Sequence, residues 1–299
     1  MKKMLAALLA TTVVAAPLHA QEITGFNIGI LGGENAQDRL ANQECYRSAI
    51  EASLGVPVKI FTPADYDGVI QGLLGGTLDM AWLGASGYAK IYLTDPDAVT
   101  PVLVKQNQDG TIGYYSIGVA RKDSGITSIE DMKGKVMGFG DPNSTSGYLI
   151  PNVELTQAGI DMEAGKYFSD VRFTGGHEQT IVAVNNGDID GGVTYADGQG
   201  AWEDGYNTGA LRKAADAGLV DMNDLVQIWK SKEIPEGPMV VRNALPEDVR
   251  TRVTDLTANL WETDADCAYG VAGGEAKDFI PVTHEQYESI VEARRMTGS

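Results

Sequence analysis

Strand-like and helix-like runs alternate along most of this chain, and this alternation is the feature that most limits its possible folds. Strands separated by helices pair in parallel, and the helices then cover both faces of the sheet. The order begins near residue 23 and restarts after Gly134. The sequence therefore predicts an α/β protein. The predicted strands are 23–31, 56–61, 78–82, 136–140, 171–174 and 189–195, and the predicted helices are 36–54, 65–74, 86–93, 146–158, 177–186, 246–261 and 283–295.

A short internal similarity predicts a structural duplication, in which the same order of strands and helices occurs twice. A shift of 111 residues places 70–79 on 181–190, and each segment is a helix, a glycine stop and a strand that opens with an apolar residue and Asp. Chance similarity is the alternative, because the match is short. A length of 299 residues, at roughly 150 per domain, also suggests two lobes.

Two extended runs, 112–121 and 238–242, indicate where the chain crosses between the lobes. Two crossings with a return to the first lobe predict two α/β lobes joined by a two-strand hinge. Lobe one is expected to comprise residues 21–117 and 239–299, and lobe two residues 118–238. Lobes joined in this way close on a ligand by hinge bending.

The first twenty residues have the pattern of a secretory signal peptide. Lys2 and Lys3 precede an apolar run over 4–17, and Ala20 supplies a small residue before Gln21. An N-terminal membrane anchor is the alternative, although the run is short for a membrane span. We therefore expect residues 1–20 to be removed on export, with no direct membrane insertion of the mature protein.

The chain has two cysteines, Cys45 and Cys267, and export would place them in an oxidising compartment. An oxidising compartment favours a disulfide between them, and two unrelated buried thiols are the alternative. Pairing would require the end of the chain to return to the first lobe, as the two crossings also require. The cysteines and the remaining histidines, His177 and His284, lie too far apart in sequence for a strong metal-ligand spacing, so neither metal nor cofactor is predicted.

The net charge of the chain argues against binding to nucleic acids or to anionic membranes. Lys and Arg number 23 against 41 Asp and Glu, a net charge of −18. This is the wrong sign for a nucleic-acid backbone or an anionic membrane surface. The sequence also lacks the motifs of serine hydrolases, zinc proteases and P-loop nucleotidases, so no catalytic residue is proposed.

The stretch Gly140-Asp141-Pro142-Asn143-Ser144-Thr145-Ser146-Gly147-Tyr148-Leu149 follows a predicted strand and opens a predicted helix. Helix N-termini carry unpaired N–H groups and partial positive charge. Three hydroxyls and a glycine that permits close approach add up to a site for a tetrahedral oxyanion. A well-capped helix is the alternative. The neighbourhood of the stretch contains no obvious cation, unlike a P-loop with its lysine, which favours reversible capture over phosphoryl transfer.

Two further candidates come from the internal similarity. The same shift aligns Ser86 with Asp197, so both would follow the carboxyl ends of equivalent strands. In open α/β sheets ligands bind at that edge.

The whole pattern resembles the periplasmic phosphonate/phosphate-binding proteins of ABC transporters, which have the two-lobe type II binding-protein fold. The resemblance runs from about residue 24 to 260. It implies a periplasmic location, a small phosphonate or phosphate-like ligand and a membrane ABC permease as partners. The stretches that carry it are Ala64-Asp65-Tyr66-Asp67-Gly68-Val69-Ile70, Leu78-Asp79-Met80-Ala81-Trp82-Leu83-Gly84, Asp141-Pro142-Asn143-Ser144-Thr145-Ser146-Gly147, Gly176-His177-Glu178 and Asn186-Gly187-Asp188-Ile189-Asp190.

The resemblance also implies roles for single residues. The hydroxyls of Ser144–Ser146 would hold the phosphonate oxygens, and His177 would donate to the same group. Tyr66 and Tyr114 would reach the ligand from lobe one and the hinge. Trp82, at a strand end, would be a wall of the cleft. An ordinary surface position for the histidine, and core positions for the aromatic residues, are the alternatives.

The second end of the ligand is expected to meet a carboxylate. Family members that carry 2-aminoethylphosphonate present carboxylates to its ammonium group, and Asp197 is the first candidate here, with Glu236 second. A helix N-cap is the alternative role for Asp197. The chain departs from the family at Gly237, where an Asp is frequent. The expected ligand is 2-aminoethylphosphonate. The alternatives are a receptor for inorganic phosphate or phosphite, a sensor module, and an enzyme acting on a phosphorylated substrate.

Overall fold

A computed structural model describes residues 23–31 and 36–298, so the predicted signal peptide lies outside the described residues. The described strands pair in two six-stranded sheets. The strands are β1 (Phe26–Gly29), β2 (Val58–Phe61), β3 (Met80–Trp82), β4 (Val99–Gln106), β5 (Gly113–Arg121), β6 (Val136–Phe139), β7 (Asp170–Phe173), β8 (Gly191–Ala196), β9 (Leu225–Lys230), β10 (Ile234–Pro235), β11 (Pro238–Arg242) and β12 (Asp278–Pro281). The helices are α1 (Ala36–Leu54), α2 (Tyr66–Leu74), α3 (Ala85–Thr94), α4 (Ile150–Gln157), α5 (His177–Asn186), α6 (Ala210–Asp216), α7 (Glu247–Ala258), α8 (Leu260–Thr263), α9 (Ala265–Ala272) and α10 (Glu288–Thr297).

Each sheet has a parallel part and an antiparallel part. The first has the order β12-β4-β11-β3-β1-β2, in which β1 is parallel to β2 and β3. In the second, of order β10-β5-β8-β6-β7 with β9 also on β5, β6 is parallel to β7 and β8. The strands next to the crossings are antiparallel to their neighbours. The prediction of a parallel sheet therefore holds only for β1, β2 and β3 in the first sheet and for β6, β7 and β8 in the second.

The chain passes between the sheets twice, side by side. It leaves the first sheet after β4 and enters the second at β5, and it returns between β10 and β11. The Glu236 N–H donates to the Ile112 carbonyl at 2.9 Å, which joins the two crossings. Residues 113–117, assigned to lobe one from the sequence, pair within the second sheet. The two-lobe fold with a two-strand hinge is confirmed.

The internal similarity corresponds to one repeated local contact. The Asp79 carboxylate accepts the Asn27 N–H at 2.9 Å, at the start of the central strands of the first sheet. The Asp190 carboxylate accepts the Val136 N–H at 2.8 Å at the equivalent place in the second. In both lobes the Asp after the glycine stop therefore ties the next strand to its parallel neighbour.

The disulfide predicted from the cysteines is present. Cys45 on α1 and Cys267 on α9 are bonded, with their Cα atoms 5.8 Å apart. Apolar side chains of α1 and α9, among them Ile50 and Ala268, belong to the same core of the first lobe. The end of the chain is therefore fixed to the lobe in which the chain begins.

Candidate functional site

A cavity of about 840 Å³ lies between the two lobes, with openings to solvent. Four helix N-termini meet at it: α2 at Tyr66, α3 just after Gly84, a π-helical turn at Thr145 that leads into α4, and α5 at His177. π-Helical turns occur frequently at functional sites. Because each N-terminus carries partial positive charge, their convergence favours an anion in the cavity.

The serine and threonine stretch forms the floor of this site. The buried Ser144 hydroxyl accepts the Gly147 N–H at 3.0 Å and lies 3.2 Å from His177 Nε2. The Ser116 hydroxyl on β5 donates to the Ser146 carbonyl at 2.7 Å and so ties the π-helical turn to β5. Ser144 thus caps the helix, as the alternative reading expected, while the Thr145 and Ser146 side chains also line the cavity.

Gly147 is needed for the shape of this turn. A Cβ atom on it would lie 2.7 Å from the Ser144 hydroxyl oxygen and 3.1 Å from His177 Cε1. Any side chain would therefore displace the two groups that approach each other here.

Aromatic rings support the polar groups. The His177 ring makes an edge contact with the Tyr195 ring, with 4.7 Å between the ring centroids. Tyr195 makes another edge contact with Tyr114, with 5.8 Å between the centroids. The Tyr114 side chain lies close to the side chains of Ser146 and Thr145. Burial raises the pKa of Tyr114 above its ordinary range, and nearby Glu236 adds to the shift. The phenol is therefore a protonated donor at neutral pH.

Asp141, at the start of the motif, connects the lobes. Its carboxylate accepts the N–H of Asn143 at 2.6 Å and that of Tyr66, from the other lobe, at 3.4 Å. Burial raises the pKa of the Asp141 carboxyl, and these two hydrogen bonds oppose the shift.

Cationic side chains lie near the 140–149 motif in the folded protein, although its own sequence contains none. Lys90 on α3 and Arg294 on α10 donate to the Asn143 amide oxygen at 3.0 and 3.1 Å. In the cavity wall, Lys105 lies 3.8 Å from Glu236, with the two side chains 13% and 20% exposed. The expectation of a site without neighbouring cations is therefore wrong, because residues distant in sequence supply them.

Most of the predicted site residues line the cavity, and three do not. Ser86 lies behind the wall, where its hydroxyl accepts from Arg294 and its N–H donates to the Thr145 hydroxyl at 2.9 Å. Gly147 lies within the turn, and the buried Asp197 carboxylate accepts the Gln199 N–H at 3.2 Å. The predicted residues that line the cavity are Tyr66, Trp82, Tyr114, Ser144, Thr145, Ser146, His177 and Glu236.

Several wall residues were not predicted from the sequence. Lys105 comes from β4, a strand that was not predicted from the sequence, and Tyr195 comes from the end of β8. Glu178 directly follows His177 in the first turn of α5. Position at the carboxyl end of a strand was a usable signal for Tyr195, but nothing local marked Lys105.

The described residues contain no group of three or more His, Cys, Asp or Glu side chains placed to hold a metal ion. Within residues 36–298, no helix combines the length and the apolar character needed to cross a bilayer.

A sequence model of one family matches residues 28–287, and its description is ABC transporter, phosphonate, periplasmic substrate-binding protein. The chain belongs to this family. The family is periplasmic, and membership implies a small phosphonate or phosphate-like ligand and a membrane permease as partners. The protein is a transporter solute-binding protein and not an enzyme.

Two relatives are similar over most of their length. The phosphonates-binding periplasmic protein of Escherichia coli is 30% identical over 84% of this chain and 71% of its own. The phosphate-import protein PhnD of Mycolicibacterium smegmatis is 26% identical over 91% of this chain and 85% of its own.

Two solved structures have the same fold. A binding protein component of an ABC phosphonate transporter from Pseudomonas aeruginosa superposes with a TM-score of 0.78, at 26% identity, over 92% of this chain and 86% of that one. PhnD1 from Prochlorococcus marinus, in complex with methylphosphonate, superposes with a TM-score of 0.75, at 22% identity, over 92% of this chain and 98% of that one.

Proposed function

We propose that this protein captures a phosphonate, 2-aminoethylphosphonate, in the interlobe cavity and delivers it unchanged to an ABC permease. The phosphonate oxygens would lie against Ser144, Thr145 and Ser146, with His177 and Tyr114 as further donors. The convergence of four helix N-termini on one cavity carries the proposal, because neutral dipoles from both lobes can surround an anion there. Family membership supports the transport role.

The ammonium group of the ligand would lie against Glu236. This carboxylate lines the cavity and is only loosely paired with Lys105 at 3.8 Å, so it can accept a second cation. Asp197 was the first candidate from the sequence and remains a prediction. Asp197 is 5% exposed and lies outside the cavity lining, which favours Glu236.

Inorganic phosphate or phosphite is the second candidate ligand. The phosphate-import relative from Mycolicibacterium smegmatis favours it. A cavity of about 840 Å³, however, leaves room beyond the oxyanion for an organic substituent. A sensor module or an enzyme on the same fold has no support from the relatives, which are transporter binding proteins.

Titration calorimetry with 2-aminoethylphosphonate, methylphosphonate, phosphite and phosphate tests the proposal. In the double variant Ser144→Ala with Thr145→Ala, the affinity for all four is expected to fall at least a hundredfold. Each hydrogen bond to a charged group contributes about 1.5–3 kcal/mol, and every ~1.4 kcal/mol is tenfold in affinity. The matched control is Thr127→Ala with Ser128→Ala, a pair in the same lobe whose side chains bond Asp131. Unchanged binding in the first double variant would exclude this anion site.

A second variant tests the identity of the ligand. Glu236→Gln is expected to weaken 2-aminoethylphosphonate at least tenfold and methylphosphonate less than twofold, since only the first carries an ammonium group. Glu233→Gln, at an exposed carboxylate nearby, is the control, and Asp197→Asn tests the sequence-based candidate. Equal affinity of the wild type for 2-aminoethylphosphonate and methylphosphonate would contradict the assignment of the ligand and leave the oxyanion site intact.

A further inference from the structure

The buried arginine at the end of the chain is placed to act on the anion site. Arg294 lies in the last turn of α10, in lobe one, and is 2% exposed. Its guanidinium donates to the Ser86 hydroxyl at 2.7 Å and to the Ser86 carbonyl at 3.3 Å. The same group reaches the Asn143 amide oxygen at 3.1 Å.

Of the bonds that Arg294 makes, those to Ser86 lie within one lobe and the one to Asn143 joins the two lobes. Ser86 belongs to lobe one, as Arg294 does, so that contact lies within one lobe. Asn143 belongs to lobe two, so its bonds to Arg294 and Lys90 cross from one lobe to the other. Opening of the cleft would separate two cationic donors from one amide oxygen.

Hydrogen bonds connect Arg294 to both neighbours of Ser144. It holds Asn143 directly. It holds Thr145 through Ser86, whose N–H donates to the Thr145 hydroxyl at 2.9 Å. The Thr145 hydroxyl also lies against Gly84, where an added Cβ atom would be 3.0 Å away. The lobes are thus joined at the residues on either side of the central serine of the motif.

We propose that Arg294 is a positioning residue that joins lobe one to the Asn143–Thr145 segment when the cleft closes and so slows release of the ligand. The proposal rests on the proposed function, because that segment is the oxyanion site. A guanidinium suits the task, since its planar set of donors can bond Ser86 and Asn143 at the same time.

The dissociation rate of 2-aminoethylphosphonate tests it, measured by stopped-flow fluorescence together with the association rate. Arg294→Met and Asn143→Ala are each expected to raise the dissociation rate at least tenfold and to change the association rate less than threefold. In the double variant the dissociation rate is expected to rise by less than the product of the two single effects, because both variants remove the Arg294–Asn143 bond. Arg295→Met is the control, because that neighbouring side chain is exposed and lies 3.5 Å from Glu292.

The open–closed equilibrium gives a readout that a merely structural role would not change. In small-angle X-ray scattering, ligand-saturated Arg294→Met is expected to remain partly open while wild type is closed. Additive effects in the double variant, or wild-type dissociation rates in both single variants, would overturn the proposal. If Arg294→Met does not fold, the comparison of Asn143→Ala with Lys90→Met decides, because both remove the Lys90–Asn143 bond and only Asn143→Ala also removes the bond from Arg294. Loss of binding in the Ser144 and Thr145 double variant, with normal release in the Arg294 variant, would retain the function and reject this role.

Discussion

At the scale of single residues, the site combines contacts that are local in sequence with contacts that are not. Ser144, Thr145 and Ser146 are contiguous and follow a strand, so sequence alone could predict an anion site there. Lys90 and Arg294 lie 53 and 151 positions from Asn143, the residue they both bond. No local pattern marks such a pair, because the tertiary fold alone brings them together.

Tyr114 gives a test at this scale. Tyr114→Phe removes a buried donor beside Thr145 and Ser146 and is expected to lower the affinity for 2-aminoethylphosphonate at least tenfold. Burial raises the pKa of the phenol, which favours the neutral donor form, so the ratio of wild-type to variant affinity should be the same at pH 7 and pH 9. Calorimetry at both values measures it.

The neighbouring residue is the matched control. Tyr115 faces the opposite side of β5, where its hydroxyl lies 3.4 Å from Glu233. Tyr115→Phe should leave the affinity within twofold of wild type. A Tyr114→Phe ratio that approaches one at pH 9 would mean that the phenol ionises there and repels the anion.

At the scale of elements, the site follows from the order of strands and helices. A helix that follows a parallel strand begins at the carboxyl edge of the sheet, so α3 after β3 and the π-helical turn after β6 both begin at the cleft. The alternation in the sequence predicted these elements, and with them the edge at which ligands bind. The repeated Asp contact at β1 and β6 explains why the internal similarity was visible.

Other elements could not be predicted in the same way. The strands β4, β9 and β12 pair antiparallel with strands from distant parts of the chain. β4 contains Pro101, and β12 ends at Pro281, a residue type that is unusual within strands. Their pairing is specified by long-range contacts. Lys105, on β4, was missed for this reason.

At the scale of the whole molecule, the hinge and the disulfide both follow from a lobe that is built from two separate segments of the chain. Lobe one is assembled from both ends of the chain, with lobe two inserted between them. The two crossings are short and lie side by side, which leaves the lobes free to bend about one line. The disulfide then fixes α9, and with it part of the cavity wall, to the lobe that contains α1.

The disulfide should therefore contribute strongly to stability. The bonded residues are 222 positions apart, so the bond restricts a long loop of the unfolded chain and the returning segment cannot separate from lobe one. Cys45→Ala with Cys267→Ala is expected to lower the free energy of unfolding by about 2–5 kcal/mol, measured by urea denaturation. Reductant supplies the matched control, because it should destabilise the wild type by a similar amount and leave the variant unchanged. Coincident unfolding curves for the oxidised wild type and the variant would show that packing of α9 against α1, and not the covalent bond, holds the end of the chain in lobe one.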